Sequence, residues 1–279
     1  MTVTYRDICL RLASAGIESA DWDARLLMEH FLGTRAAEYF LSPTLQIDPS
    51  DELEAAIEQR AARYPLQYII GTWDFYRQTY EVSPDCLIPR SDTETLVEEA
   101  IRRLPPRAYF ADLCTGSGCI AISTLAERPD TTAIAVDKFE RTLAIASRNA
   151  IRNRVSDRIE LRLCDVLEPD FLGTCMQLDA ILCNPPYIRT EVLASLAPEL
   201  NAEPAAALDG GADGLIFYES LLKNGAKYLK PCGFFLFEIG YDQADDLCRL
   251  GKEYGFDGIE ILRDLGGNDR VARLWRVRA

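Results

Sequence analysis

From Asp92 onward, apolar runs of five to seven residues alternate with stretches of helical periodicity, and this alternation limits the chain to very few folds. Strands are expected at 108–113, 132–136, 159–163, 178–183, 233–239, 257–263 and 271–277. Helices are expected at 92–103, 118–128, 140–153, 214–229 and 241–255. Strands separated by helix-length crossovers pair in parallel and are covered on both faces, so the fold class is α/β with a doubly wound sheet. The last two strands have no helix between them and are expected as an antiparallel edge hairpin. Upstream, residues 4 to about 70 carry only helical spacing: Ile8, Leu12 and Ala15, then Leu26, Leu27, Phe31 and Leu32, then Leu53, Ile57 and Ala61. Turns fall at Gly16, Gly33 and Ser42-Pro43, and Asp48-Pro49-Ser50-Asp51-Glu52 begins a helix well. Trp73, Phe75, Tyr76, Tyr80 and Val82 suggest a β-hairpin between the two parts. The expected division is a small helical domain at 1–71, a hairpin linker at 72–90 and an α/β domain at 91–279.

Two loops at strand ends carry the chemistry. Asp112-Leu113-Cys114-Thr115-Gly116-Ser117-Gly118 takes the first strand through a small-residue turn into the helical pattern Cys119-Ile120-Ala121-Ile122. Such a turn lets a ligand approach the backbone closely beside a helix amino terminus. Asp137 ends the next strand about twenty residues on, where an acidic residue grips ribose hydroxyls. No G-K-[ST] follows, so this is not a P-loop. The position three beyond Gly118 is Ala121, which leaves a nicotinamide dinucleotide as the second choice behind a nucleoside cofactor.

The second loop, Asn184-Pro185-Pro186-Tyr187, ends the run Leu178-Asp179-Ala180-Ile181-Leu182-Cys183. Consecutive prolines forbid helix and hold an extended turn that offers an amide, bare carbonyls and an aromatic face. That combination suits a planar NH2 group, and the two loops together read as a methyltransferase acting on nitrogen. An Asn that merely forms a turn before proline is the commoner use of such a residue, but it does not explain the prolines and the tyrosine beside a cofactor loop.

Composition narrows the partners. With 44 acidic against 30 basic residues the net charge is −14, which disfavours a protein that relies on phosphate contacts, so no direct nucleic-acid partner is expected. No apolar stretch reaches eighteen residues, and the first seven residues lack a basic head with an apolar core; neither a membrane span nor a signal peptide is expected, and the expected compartment is the cytoplasm. Nine cysteines occur without a C-x-x-C pair, and Cys9, Cys164, Cys183 and Cys232 read as buried thiols. His30 is the only histidine, so a His-based triad or zinc site is not expected, nor is any metal.

Further blocks connect the chain to a known family. Arg63-Tyr64-Pro65-Leu66-Gln67-Tyr68-Ile69-Ile70-Gly71, Leu87-Ile88-Pro89-Arg90-Ser91-Asp92-Thr93-Glu94, Glu203-Pro204 with Ala207-Leu208-Asp209-Gly210-Gly211, Glu238-Ile239-Gly240 with Gln243, and Asp264-Leu265-Gly266-Gly267-Asn268-Asp269-Arg270 accompany Asn184–Tyr187. This set resembles the bacterial peptide chain release factor N5-glutamine methyltransferases, class I enzymes dependent on S-adenosylmethionine. The resemblance implies a Rossmann-like seven-stranded catalytic domain behind a helical domain, S-adenosyl-L-methionine as cofactor, and the glutamine of the Gly-Gly-Gln loop of class I release factors as substrate.

By that reading Asn184, Pro185, Pro186 and Tyr187 are catalytic. Cys114, Thr115, Gly116, Ser117, Gly118, Asp137, Asp165, Val166 and Asn184 bind cofactor, with Asp165 and Val166 at the adenine. The family usually has glycine where Cys114 stands. A left-handed backbone there would penalise cysteine and an extended one would accept it; tolerance is the expectation. Arg90 and Glu94 either line the cleft or form an interdomain ion pair. A DNA adenine methyltransferase shares the Asn-Pro-Pro-Tyr turn but needs a basic groove and a recognition insert. A non-catalytic protein that has lost its cofactor through Cys114, and a nicotinamide dehydrogenase, are the remaining alternatives.

Overall fold

A computed structural model of the chain describes residues 2–173 and 177–276. Two compact units make it up: residues 1–72 with 197–202, and residues 73–196 with 203–279.

The first unit is helical: α1 (Tyr5–Ser14), α2 (Ala20–Leu32), α3 (Ala36–Leu41), α4 (Asp51–Ala61) and α5 (Leu66–Ile70). Thr4 opens α1 with a reciprocal capping box to Asp7, and the Ser50 hydroxyl accepts from the Leu53 amide at the start of α4. Leu12, Leu27, Met28, Leu53 and Ile57 form its core. Asp23 and Arg60 are buried there as a pair 2.6 Å apart, and Arg60 also reaches Glu199 of the 197–202 segment at 3.1 Å.

The second unit begins with a hairpin, β1 (Thr72–Phe75) and β2 (Gln78–Glu81). From Trp73 the chain groups with the sheet, and Phe75 and Tyr80 are buried in that unit's core, the Tyr80 hydroxyl 2.6 Å from Ser123 Oγ. Beyond it run α6 (Glu94–Arg103), β3 (Tyr109–Leu113), α7 (Cys119–Glu127), β4 (Thr132–Asp137), α8 (Glu140–Arg152), β5 (Ile159–Leu163), β6 (Leu178–Cys183), α9 (Ile216–Asn224), β7 (Leu229–Glu238), α10 (Ala244–Glu253), β8 (Gly258–Arg263) and β9 (Asp269–Trp275). The seven strands β3–β9 lie in the order β5-β4-β3-β6-β7-β9-β8, parallel except where β9 runs against β7 and β8. The expected edge hairpin is therefore present, although Val277, the last residue of the expected strand 271–277, lies outside the described residues.

Both faces are covered, as a parallel sheet requires. Phe110, Ala133, Ala135, Ala180, Leu182, Phe234 and Leu236 face α6, α7 and α8. Their neighbours Leu113, Val136, Ile181, Cys183, Phe235 and Phe237 face α9 and α10, where Phe235 stacks on Phe237 at 5.0 Å between centroids. Three expectations need correction. The helix expected at 214–229 stops at Asn224 and gives way to a 3-10 turn at Ala226–Tyr228. Strand β7 starts at Leu229, ahead of the expected 233, because Leu178 pairs with Leu229 before a bulge. Cys232 is exposed and Cys9 and Cys164 are only partly buried; of the four thiols expected inside, Cys183 alone is fully so. Its apolar run lies in a central strand, whereas β7 begins at the surface.

Phe237 has no exposed surface. Phe237→Ala should cost about 3–5 kcal/mol, read from the urea midpoint at unchanged m-value.

Candidate active site

The first loop leaves the carboxyl end of β3 between its two parallel neighbours: Leu113 pairs with Val136 of β4 on one side and Cys183 of β6 on the other. This is the point where the strand order reverses, and such a crevice is where doubly wound sheets bind ligands. A cavity of ≈ 700 Å³ opens there.

Of the residues expected to bind cofactor, Cys114, Gly116, Asp137, Asp165, Val166 and Asn184 line this cavity. Thr115 and Ser117 do not; both are buried behind the loop. Thr115 Oγ1 donates to Asp112 Oδ2 at 2.6 Å, and the Ala121 amide donates to the same oxygen at 3.1 Å, which ties the turn to α7. Burial pushes the Asp112 carboxyl up to about 7 despite those bonds. Gly118 caps α7 with φ 84°, and a Cβ there would meet Ile122 Cδ1 at 2.7 Å. Gly116, at φ 57°, leaves open space on the cavity side.

Asp137 accepts the Gly116 amide at 3.0 Å on Oδ2 and the Phe139 amide at 3.1 Å on Oδ1. Each oxygen keeps a lone pair for a ligand hydroxyl, while burial raises its pKa. Asp165 accepts the Leu167 amide at 3.0 Å and pairs with Lys138 at 2.7 Å. Burial opposes its ionisation, but those two partners outweigh burial and lower the pKa.

The Asn184–Tyr187 turn follows β6. Asn184 Nδ2 donates to Thr93 Oγ1 at 3.3 Å, and Asn184 and Pro186 line the cavity. Tyr187 does not line it: its hydroxyl donates to Glu238 Oε1 at 3.3 Å, so the ring is held on the core side. Segment 203–211 crosses over the turn. Ile188 pairs with Asp209, the Gly210 amide donates to the Ile188 carbonyl at 2.8 Å, and a Cβ on Gly210 would lie 2.8 Å from both Pro186 O and Tyr187 Cα. Only glycine allows that approach. Gln243 Nε2 donates to the Tyr187 carbonyl at 3.2 Å. Glu203 anchors the segment by accepting the Ile88 amide at 3.1 Å and pairing with Arg90. Arg90 and Glu94 therefore do not line the cavity; Glu94 accepts the Tyr76 amide at 2.9 Å.

The sequence alone assigns no role to Thr93, Glu238, Gln243 or Gly210. Glu238 left the clearest signal, a carboxylate closing the apolar run Phe234–Phe237, since a charge at the end of a buried strand is rarely there for packing.

The chain is similar to known proteins over nearly its full length. Residues 5–71 match the PrmC N-terminal domain and residues 92–232 the methyltransferase small domain. The release factor glutamine methyltransferase of Cereibacter sphaeroides is 40% identical over 94% of this chain and 93% of its own length. The protein of the same name from Geobacter sulfurreducens is 38% identical over 93% and 91%. The chain belongs to the release factor glutamine methyltransferase family. The hMettl16 catalytic domain, 17% identical with a TM-score of 0.55 over 81% of this chain and 82% of its own, shares the fold.

As a member of this family the chain is a class I methyltransferase, and the site suits an S-adenosylmethionine-type cofactor. Asp112 Oδ1 is buried without a hydrogen-bond partner at the head of the loop, an acceptor of the kind an ammonium group satisfies. The family's glycine position reads differently than expected. Cys114 has φ 57°, in the left-handed region, so the cysteine carries a backbone cost that glycine would not. Cys114→Val should unfold about 1–2 kcal/mol more easily than Cys114→Gly in matched urea titrations.

Proposed function

We propose that this chain transfers a methyl group from S-adenosyl-L-methionine to the side-chain amide nitrogen of the Gly-Gly-Gln glutamine in class I release factors, and that the Asn184–Tyr187 turn carries out the transfer. The single observation behind this reading is that Asn184 shares one cavity with Gly116, Asp137 and Asp165. The acceptor turn and the cofactor loop thus face the same space.

When bound, the cofactor supplies an electrophilic methyl group on a positively charged sulfonium. Asp137 holds its ribose hydroxyls, Asp165 and Val166 flank the adenine, and the loop 114–118 receives the methionine end. An amide nitrogen is a weak nucleophile because its lone pair is delocalised. Asn184 Oδ1 and the Pro185 carbonyl accept the two N–H bonds of the substrate amide, which fixes its plane and stabilises positive charge developing on nitrogen. The double proline keeps those acceptors from relaxing. Tyr187 braces the turn from behind. The proton becomes acidic as the bond forms, so no histidine is required. The helical unit is the proposed docking element for the release factor, and the acidic balance fits a protein substrate better than a nucleic acid.

With labelled cofactor and a purified release factor, Asn184→Ala should lower kcat on the order of 100-fold, and a release factor whose loop glutamine is changed to alanine should take no label. Label on that altered factor would sink the reading. Asp137→Asn should weaken S-adenosylhomocysteine binding by roughly 10-fold or more in calorimetry.

A further inference from the structure

We propose that Glu238 is a positioning residue for methyl transfer: through the Thr93 hydroxyl it fixes which way round the Asn184 amide sits, so that Oδ1 rather than Nδ2 meets the substrate. The inference rests on the reading of Asn184 given above and adds to it the group that sets its orientation.

Proton count decides the orientation. An asparagine amide is nearly symmetric in shape, yet its two ends are opposite in function, so something must hold it one way round. Its neighbour Thr93 is 2% exposed and has a single hydroxyl proton. Thr93 Oγ1 lies 2.5 Å from Glu238 Oε2, and an ionised carboxylate can only accept. The hydroxyl proton is therefore committed to Glu238. The same oxygen must then accept from Asn184, whose Nδ2 lies 3.3 Å away, and Oδ1 is left for the substrate. Glu238 also accepts the Tyr187 hydroxyl at 3.3 Å, so one carboxylate steadies both ends of the turn. It is 1% exposed and does not line the cavity, so it acts through its neighbours.

A buried carboxylate is costly, and its surroundings offset that cost only in part. Asp92 beside Thr93 and Tyr187 on the turn face it, with Tyr218 from α9, Cys183 from β6 and Cys119 from α7. Arg270 on β9 supplies the nearby positive charge, but that charge is shared with Asp264 at 3.1 Å and Asp92 at 3.2 Å. Burial prevails and pushes Glu238 up to about 7. Once protonated, Glu238 can donate to Thr93, which frees the Thr93 proton to point at Asn184 and draw Oδ1 inward. The wrong end of the amide then faces the substrate, so turnover falls as pH drops through that value.

The test uses the full chain with labelled S-adenosylmethionine and a purified release factor. Glu238→Gln removes the acceptor-only group: its amide can present either oxygen or nitrogen to Thr93, so the Thr93 proton is no longer committed whatever the pH. Its kcat at pH 8 should fall about 10-fold or more, with the release factor KM and S-adenosylhomocysteine affinity near those of the wild type. At saturating cofactor the wild-type decline in kcat on acidification should shrink, leaving only the part contributed by Asp112, which burial also pushes up to about 7. Its melting temperature at pH 8 should be no lower than the wild type's, since a buried charge has been removed. Thr93→Val should show the same kcat loss and Thr93→Ser should restore it. Wild-type kcat and an unchanged pH profile in both Glu238→Gln and Thr93→Val would overturn the proposal while leaving the parent reading intact. If Glu238→Gln does not fold, the Thr93→Val and Thr93→Ser pair decides on the same criteria. A wild-type protein that fails to label the release factor would remove the parent reading, and this proposal with it.

Discussion

The site depends on the parallel register at the centre of the sheet. Because Leu113 pairs with Val136 on one side and Cys183 on the other, the chain leaves all three strands at the same height. The loop 114–118, Asp137 and Asn184 thus emerge together at one edge. The apolar faces that hold this register, with Ile181, Phe235 and Phe237 under α9 and α10, also hold the site together. A slip of one residue would exchange the faces and scatter the three groups.

A second layer of interactions turns that meeting of loops into a shaped site. Glycine at position 210 lets one segment lie directly on the Asn184–Tyr187 turn, and Glu203 and Gln243 secure it from either side. Behind the turn sits a buried carboxylate. Glu238 costs the fold more than an apolar residue would, but an apolar residue has no lone pair to commit the Thr93 proton.

Much of this was legible in the residues themselves. The alternation of apolar runs predicted the strands of the doubly wound sheet, because burial on both faces leaves unbroken hydrophobic stretches in the sequence. The two loops stood out because glycines and consecutive prolines after strands have few uses other than shaping a backbone. Less legible were element ends, as at Asn224 and Leu229, where a bulge and a 3-10 turn reset the chain without a strong residue signal. The Cys114 backbone was also hidden, since cysteine gives no hint of a positive φ.

Sequence by itself determined the order of elements, the loops that could bind a cofactor, and the Asn184-Pro185-Pro186-Tyr187 turn at a strand end. Those are local properties, set by periodicity, ring constraints and side-chain chemistry within a few residues. Tertiary structure decided what backs them. Thr93 and Glu238 are 145 residues apart and meet at 2.5 Å; Arg90 and Glu203 are 113 apart and pair. Tyr187 is turned toward the core, not the cavity. Such contacts depend on which strands become neighbours, and that is settled by the packing of the whole sheet.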